Sequence, residues 1–390
     1  MDQVAKILPL SQLLPAERTA ATFVGRVMPP EGGGPCVVAL RGEQLADLTP
    51  ITPTMADLLE RPDVGEIATS AFAGRTWALG DPAVRLLAPI DLQVIKAAGV
   101  TFAVSMVERV IEERAAGDPH RAQEVRARVQ SAIGGSIADI QPGSAKAAAV
   151  KEALQAEGLW SQYLEVGIGP DPEIFTKAPV LSAVGAGVPI GVLERSAWNN
   201  PEPEVVLVAA PDGRAIGATL GNDVNLRDFE GRSALLLGEA KDNNASCAIG
   251  PMIRLFDDAF TLDHVAAADV SLRIEGMDDG FELTATSSMS QMSRTLPDLL
   301  AHTRGAHHQY PDGFALFTGT MFAPTEDRDS PGMGFTHHDG DVVTISTPLL
   351  GTLINTVTSS EAAPPWEVGI RALWRNLADR GLLTGQPLRG

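Results

Sequence analysis

The chain has little cysteine, is short of positive charge and lacks any long apolar run. Only two of its 390 residues are cysteine. Cys36 and Cys247 stand far apart and fit neither a zinc-ligand nor a redox spacing. They read as reduced, buried thiols of a cytoplasmic protein. Lys and Arg number 30 against 49 Asp and Glu, a net charge of -19. A surface of that sign repels a phosphate backbone, so nucleic acid is a poor partner. No stretch of about 18 residues is apolar and free of charges or breakers, so no membrane span is expected. The opening MDQVAKILPLSQLLPAERTA has no basic start, long apolar core or small-residue cleavage site, so no signal peptide is expected. There is no P-loop, no HExxH and no GxSxG. The GAGVPIG run from Gly185 lacks the GxGxxG spacing and contains Pro189, which excludes a dinucleotide loop.

What is there is an ordinary globular composition, 44% hydrophobic and 20% charged. The length suits one large domain with a smaller appendage. TFVGRV and CVVALRG read as strands joined through Gly32 to Pro35, PTMADLLE as a short helix and VRLLAPID as a strand before a Pro-marked turn. A boundary is placed near residue 90, giving a small N-terminal α/β domain over 1–90 and a catalytic domain over 91–390. From Ser105 the spacing of Met106, Val107, Val110 and Ile111 is helical, and AKAAAVKEALQAEG forms a second helical run. After about Leu164 short strand-like runs dominate: EVVLVAA, AIGATLG, DVSLRIEG and DVVTIST. Their density predicts an α+β fold that is mainly β. WEVGIRALWRNLADRGLL closes the chain as a helix ended by glycine.

The chemistry concentrates in WNNPEPEVVLVAAPDGRAIGATLGNDVNLRDF. Glu202 and Glu204 are two apart, so on a strand their carboxylates share one face. Pro203 between them places this strand end at an edge or rim. About twenty residues on, Asp223 ends a second strand, and a hairpin would return it to the two glutamates. Three oxygen ligands with open positions suit Mg2+, and a bound cation would let an acidic protein take an anionic substrate. Each element has a plainer reading, a solvated strand face or a turn; the argument lies in their combination. Lys241, in GEAKDNNASCAIGP, lies among small and amide side chains. A desolvated lysine near a metal would have a lowered pKa and serve as a base. Cys247 has no histidine near it in sequence and is discounted as a nucleophile. Ser105 and Glu108 spell S-x-x-E, which is either a helix capping box or a site acid or base. His307-His308 and His337-His338 lack i, i+4 ligand spacing and read as surface or secondary contacts.

PEPEVVLV, GNDVNLRDF, AKDNNASCAIGP, FTGTM and HHDGDVVTISTPLLGTLINTV, in this order over about residues 95 to 360, resemble the fumarylacetoacetate hydrolase superfamily. The resemblance implies a mixed β-sandwich roll with a smaller N-terminal domain, assembled as a homodimer or homotetramer. It implies Glu202, Glu204 and Asp223 as ligands of Mg2+, with Mn2+ as the alternative, and Lys241 as the active-site lysine. Arg227, Thr320 and Phe102 fall where substrate contacts are expected. Hydrolase members carry H-x-x-E on a helix over the site; here Ser105 replaces the histidine and Glu108 remains. Serine cannot act as imidazole does, which argues against C-C hydrolysis of a 2,4-diketo acid. VTFAVSMVER, NNPEPEVVL and DNNASCAIGP bring the chain nearer the 2-keto-3-deoxy-pentonate dehydratases of the superfamily. That subgroup implies a small 2-keto sugar acid substrate, 2-keto-3-deoxy-D-xylonate or 2-keto-3-deoxy-D-arabinonate, converted to 2,5-dioxopentanoate. Lys241 and Glu108 would share the base and acid roles in either order, with Ser105 as a hydrogen-bond partner. A non-catalytic binding protein would need no such lysine.

Overall fold

The structure is a computed structural model that describes residues 8–70, 74–116, 118–133, 140–156, 158, 160–322, 324 and 326–383. Its strands are β1 (Phe23–Met28), β2 (Cys36–Arg41), β3 (Gln44–Asp47), β4 (Thr76–Ala78), β5 (Arg85–Leu87), β6 (Val94–Gly99), β7 (Glu173–Ala178), β8 (Ile190–Val192), β9 (Asn199–Asn200), β10 (Pro203–Ala209), β11 (Ala215–Asp223), β12 (Asn225–Leu226), β13 (Cys247–Leu255), β14 (Asp269–Glu275), β15 (Glu282–Ser288), β16 (Phe314–Phe317), β17 (Val342–Thr347) and β18 (Gly351–Ser359). The larger sheet runs β4-β3-β2-β1-β13-β11-β10-β16-β6-β7, with β5 paired to β1. The smaller runs β15-β14-β17-β18-β8, and β9 and β12 form a separate two-stranded ribbon. The predicted α+β, mainly β architecture is the observed one.

β10 lies inside the larger sheet, between β11 and β16, and both its faces are covered. Alternation sends Val205 and Leu207 to one side, where they pack with Leu272, Ile274, Val343, Ile345 and Leu353 of the smaller sheet. Val206 and Val208 face the other way, with Met55, Leu58 and Ile67 from the helices Met55–Leu59 and Val64–Ser70. A strand buried on two faces needs a continuous apolar run, and Val205 to Ala210 supplies one. A third cluster joins the helices Ala103–Ala115, Ala145–Ala156 and Gln162–Ile168 through Met106, Val110, Leu154 and Leu164.

The helix Ala103–Ala115 corrects one sequence expectation. Its N-cap is Phe102, extended at φ -123° and ψ 143°, and no side chain caps the end. Ser105 lies inside the first turn and donates its hydroxyl to the Phe102 carbonyl at 2.9 Å. The S-x-x-E spacing is therefore not a capping box, because helical geometry begins two residues earlier than the apolar spacing suggested. No helix among the described residues is long and apolar enough to cross a membrane.

A buried ion cluster fixes the segment before β17. Arg328, its side chain fully enclosed, reaches Asp341 at 2.6 Å, and His337 Nδ1 lies 3.2 Å from the same carboxylate. Burial alone would raise the Asp341 pKa; the bonds from Arg328 and His337 outweigh it and hold it at about 2. A carboxylate lowered on folding stabilises the fold above its unfolded value, roughly 4. That contribution is lost as the pH falls toward the folded value. Asp341→Asn should remove this part of the acid dependence while lowering stability at neutral pH. Urea unfolding at pH 7 and at pH 3 measures both, and equal losses at the two pH values would contradict the assignment.

Candidate metal and substrate site

Three acidic side chains converge because two neighbouring strands end together. β10 and β11 pair antiparallel with Pro203 opposite Asn222 and Glu204 opposite Gly221, and the Asp223 amide donates to the Glu202 carbonyl at 3.0 Å. This is the return of Asp223 to the two glutamates that the sequence spacing predicted. Glu202, Glu204 and Asp223 are all buried, with one oxygen from each within 4.8 Å of the others. The Glu202 amide donates to Asn222 Oδ1 at 3.1 Å, and the Gly319 amide donates to Glu204 Oε2 at 2.6 Å. Gly319 sits at φ +97°, and a Cβ there would come within 1.9 Å of Thr101 Oγ1, so only glycine brings this amide in.

Lys241 joins the group from the end of the short helix Leu237–Lys241, with Nζ 2.5 Å from Glu202 Oε2 and 3.1 Å from Asp223 Oδ2. The expected lowered pKa is not what this arrangement gives. Burial by itself would lower it, but Asp223, Glu202 and Glu230 together outweigh burial and raise it, so Lys241 is an ammonium ion here. Cys247, at the start of β13, is buried and its thiol is pushed up to about 12, first by desolvation. That fits its dismissal as a nucleophile.

The carboxylates open on a cavity of about 20 Å³, roughly the room of one water molecule or ion. Its other walls are Ala98, Gly99, Val100, Ser105, Arg109, Glu173, Phe175, Glu230 and Thr320. Five carboxylates thus face two cations, Arg109 and Lys241. The crowding registers at Glu204, whose pKa is raised well above the usual range by burial and then by Asp223 and Glu202. A divalent cation would offset this crowding, and an all-oxygen donor set of this kind fits Mg2+.

The other sequence candidates divide. Ser105 and Thr320 line the cavity; the Thr320 hydroxyl donates to the Pro203 and Phe322 carbonyls at 3.3 and 3.2 Å. Phe102 is buried at the helix N-cap, in a bridge with Met292, and does not line the cavity. Arg227 lies behind the wall, 3.1 Å from Glu112 and donating to the Pro324 carbonyl at 3.0 Å. Glu108 points to the next helix, Pro119–Ile133, where Arg126 binds both its oxygens at 3.1 and 2.6 Å. His307 and His308 are exposed and His337 is buried against Asp341. His338 bonds Asp278 and Asp329 at 2.9 Å. Among the described residues, no histidine lines the cavity.

Three charged lining residues, Glu173, Arg109 and Glu230, escaped the sequence reading. Glu173 and Phe175 alternate on β7, so E-x-F-x-K was a legible face once that segment was read as a strand. A Cβ on Gly99 would lie 2.0 Å from Glu173 Oε2, so the glycine makes room for that carboxyl. Burial raises the Glu173 pKa, opposed by Arg109 and Lys241. Arg109, on the same helix as Ser105, bonds Glu202 and also reaches Glu112 and Glu230 at 2.8 Å. Glu230, buried, is pushed up to about 7, mainly by desolvation. Neither Arg109 nor Glu230 carries a local sequence signal; both acquire meaning from partners distant in the chain.

A family model described as fumarylacetoacetate (FAA) hydrolase C-terminal matches residues 144–358, which include the three carboxylates and Lys241. The chain belongs to this family. Two curated relatives of this family member carry dehydratase names. One is the probable 2-keto-3-deoxyxylonate dehydratase of Haloferax volcanii, 33% identical over 198 residues, covering 50% of this chain and 64% of that protein. The other is the 2-dehydro-3-deoxy-D-arabinonate dehydratase of Saccharolobus solfataricus, 32% identical over 186 residues, covering 48% and 58%. The chain thus spans less than two thirds of either relative. Among solved structures, the apo form of 2-keto-3-deoxy-D-arabinonate dehydratase superposes with a TM-score of 0.60 at 21% identity, over 87% of this chain and 99% of that one. The same enzyme complexed with magnesium and 2,5-dioxopentanoate gives 0.59 at 22%, with the same coverage. At such identity the likeness speaks for the fold.

Glu204→Ala should abolish binding of a divalent cation. In the wild type, cation at about 100 times its Kd should stabilise the fold by about 2.7 kcal/mol. Calorimetric titration with Mn2+ and thermal melts with and without Mg2+ measure both; a variant that still binds would place the site elsewhere.

Proposed function

We propose that the protein is a Mg2+-dependent dehydratase of a 2-keto-3-deoxy-pentonate, forming 2,5-dioxopentanoate. The observation that carries this reading is the meeting of Glu202, Glu204 and Asp223 with Lys241 in one buried cavity. The dehydratase names of the curated relatives support it. Glu202, Glu204 and Asp223 would hold the cation, with Mn2+ as the alternative. When bound, that ion supplies Lewis acidity toward the 2-keto acid end of the substrate, which makes the C3 proton removable.

The remaining work falls to this chain's own groups. Lys241 is charged because Glu202 and Asp223 hold it so. With those carboxylates committed to a cation, burial favours the neutral amine, and Lys241 takes the C3 proton. The acid role that sequence gave to Glu108 passes to Glu173. Glu108 is engaged by Arg126 away from the cavity, whereas Glu173 lines it and is held toward its protonated form by burial. Glu173 then gives its proton to the departing C4 hydroxyl. Arg109, the cavity's second cation, is suited to the substrate carboxylate. Thr320 and Ser105 offer hydroxyls along the wall.

A hydrolase of 2,4-diketo acids of this family would use a histidine to activate water, and among the described residues no histidine lines this cavity, where Ser105 stands instead. Two buried free thiols suit a cytoplasmic enzyme. The exposed Trp366, Ile370 and Trp374 leave an apolar face consistent with a homodimer or homotetramer.

Incubation of the protein with racemic 2-keto-3-deoxy-pentonate should give Mg2+-dependent loss of one water and a trappable aldehyde, both abolished by EDTA. Pyruvate release from a 2,4-diketo acid in place of dehydration would turn the reading to hydrolysis. Glu173→Gln should lower kcat by about 10^2 to 10^4, while Glu108→Gln should cost far less. Steady-state kinetics of the two variants decide the acid assignment, and the opposite ranking restores Glu108.

A further inference from the structure

We propose that Lys177 is a positioning residue that fixes the Asp223 carboxylate for cation binding and ties it to the backbone of Lys241. The proposal rests on the reading of Glu202, Glu204 and Asp223 as a cation site. Lys177 lies on β7 on the same face as Glu173 and Phe175, but two residues deeper, with no exposed surface. An ammonium carries three N–H donors and no acceptor. Here three oxygens surround it: Asp223 Oδ1 at 2.8 Å, the Lys241 carbonyl, and the Val224 carbonyl at 3.4 Å. Two of these oxygens accept its hydrogen bonds and the third is its ion-pair partner, which with its full burial makes it neither a substrate contact nor a mobile base. Lys241 meets the other oxygen of Asp223, Oδ2, at 3.1 Å. Lys177 thus holds the oxygen turned away from Lys241, and between them the two lysines fix both oxygens of the carboxylate. A fully buried charge is costly unless paired and hydrogen-bonded. Its place beneath a metal-type carboxylate is that of the outer partners that orient ligands elsewhere.

Geometry and simple electrostatics predict opposite signs. As a bare positive charge near a cation site, Lys177 would weaken cation binding, and its removal would tighten it. As the group that orients Asp223, its removal weakens binding despite the lost repulsion. Lys177→Met keeps an unbranched side chain as far as the ε carbon and removes the ammonium; Lys177→Gln serves as a second variant should the first not fold. Mn2+ affinity is measured on the folded variant by calorimetry or by the electron paramagnetic resonance of free Mn2+, with circular dichroism as the folding control. The expected result is a 10- to 100-fold weaker Kd for Mn2+. Unchanged or tighter Mn2+ binding by a folded variant overturns the positioning role and leaves the cation site intact. Failure of the wild-type protein to bind Mn2+ removes the cation site, and the positioning role with it.

Discussion

The site is governed by the repulsion among Glu202, Glu204 and Asp223 in surroundings that water hardly reaches. Buried carboxylates of like sign cannot all remain ionised without compensation. The chain answers with cations drawn from separate elements: Lys241 from a short helix, Lys177 from β7 and Arg109 from the helix over the cavity. Each reaches the cluster from a different direction. These bonds hold Glu202 and Asp223 in place, while Glu204, bonded by none of the three, is held toward its protonated form by burial and by its neighbours.

The fold supplies the rigidity for this. β10 is covered on both faces, and β11 and β13 extend the sheet beside it, so the ends that bear the acids are clamped by layers of aliphatic side chains. The helices Ala103–Ala115 and Gln162–Ile168 share a separate small cluster around Met106 and Leu164. The helical wall of the site is thereby packed apart from the sheet that carries the carboxylates.

How far the sequence could be read follows from the range of the interactions involved. The E-x-E pair and the strand-end aspartate are local patterns joined by one hairpin, so spacing alone brought them together. Glu173 was equally local, but PDPEIFTKAP is flanked by prolines and was not read as a strand. Arg109 is one charged residue of a helix rich in charges, and only the fold shows that it faces Glu202. Glu108 illustrates the reverse: its spacing from Ser105 matched a motif, yet its partner is Arg126 on the following helix. The charge state of Lys241 could not be read either, because it depends on how many carboxylates surround the amine.

Arg109 ties two events into one equilibrium. It bonds the very carboxylate that a cation would claim, and it belongs to the helix that walls the cavity. A cation and this guanidinium therefore compete for Glu202, and each weakens the other's hold. By linkage, a cation on Glu202 would weaken the Arg109 bond, and loss of that bond would strengthen cation binding by the same free energy.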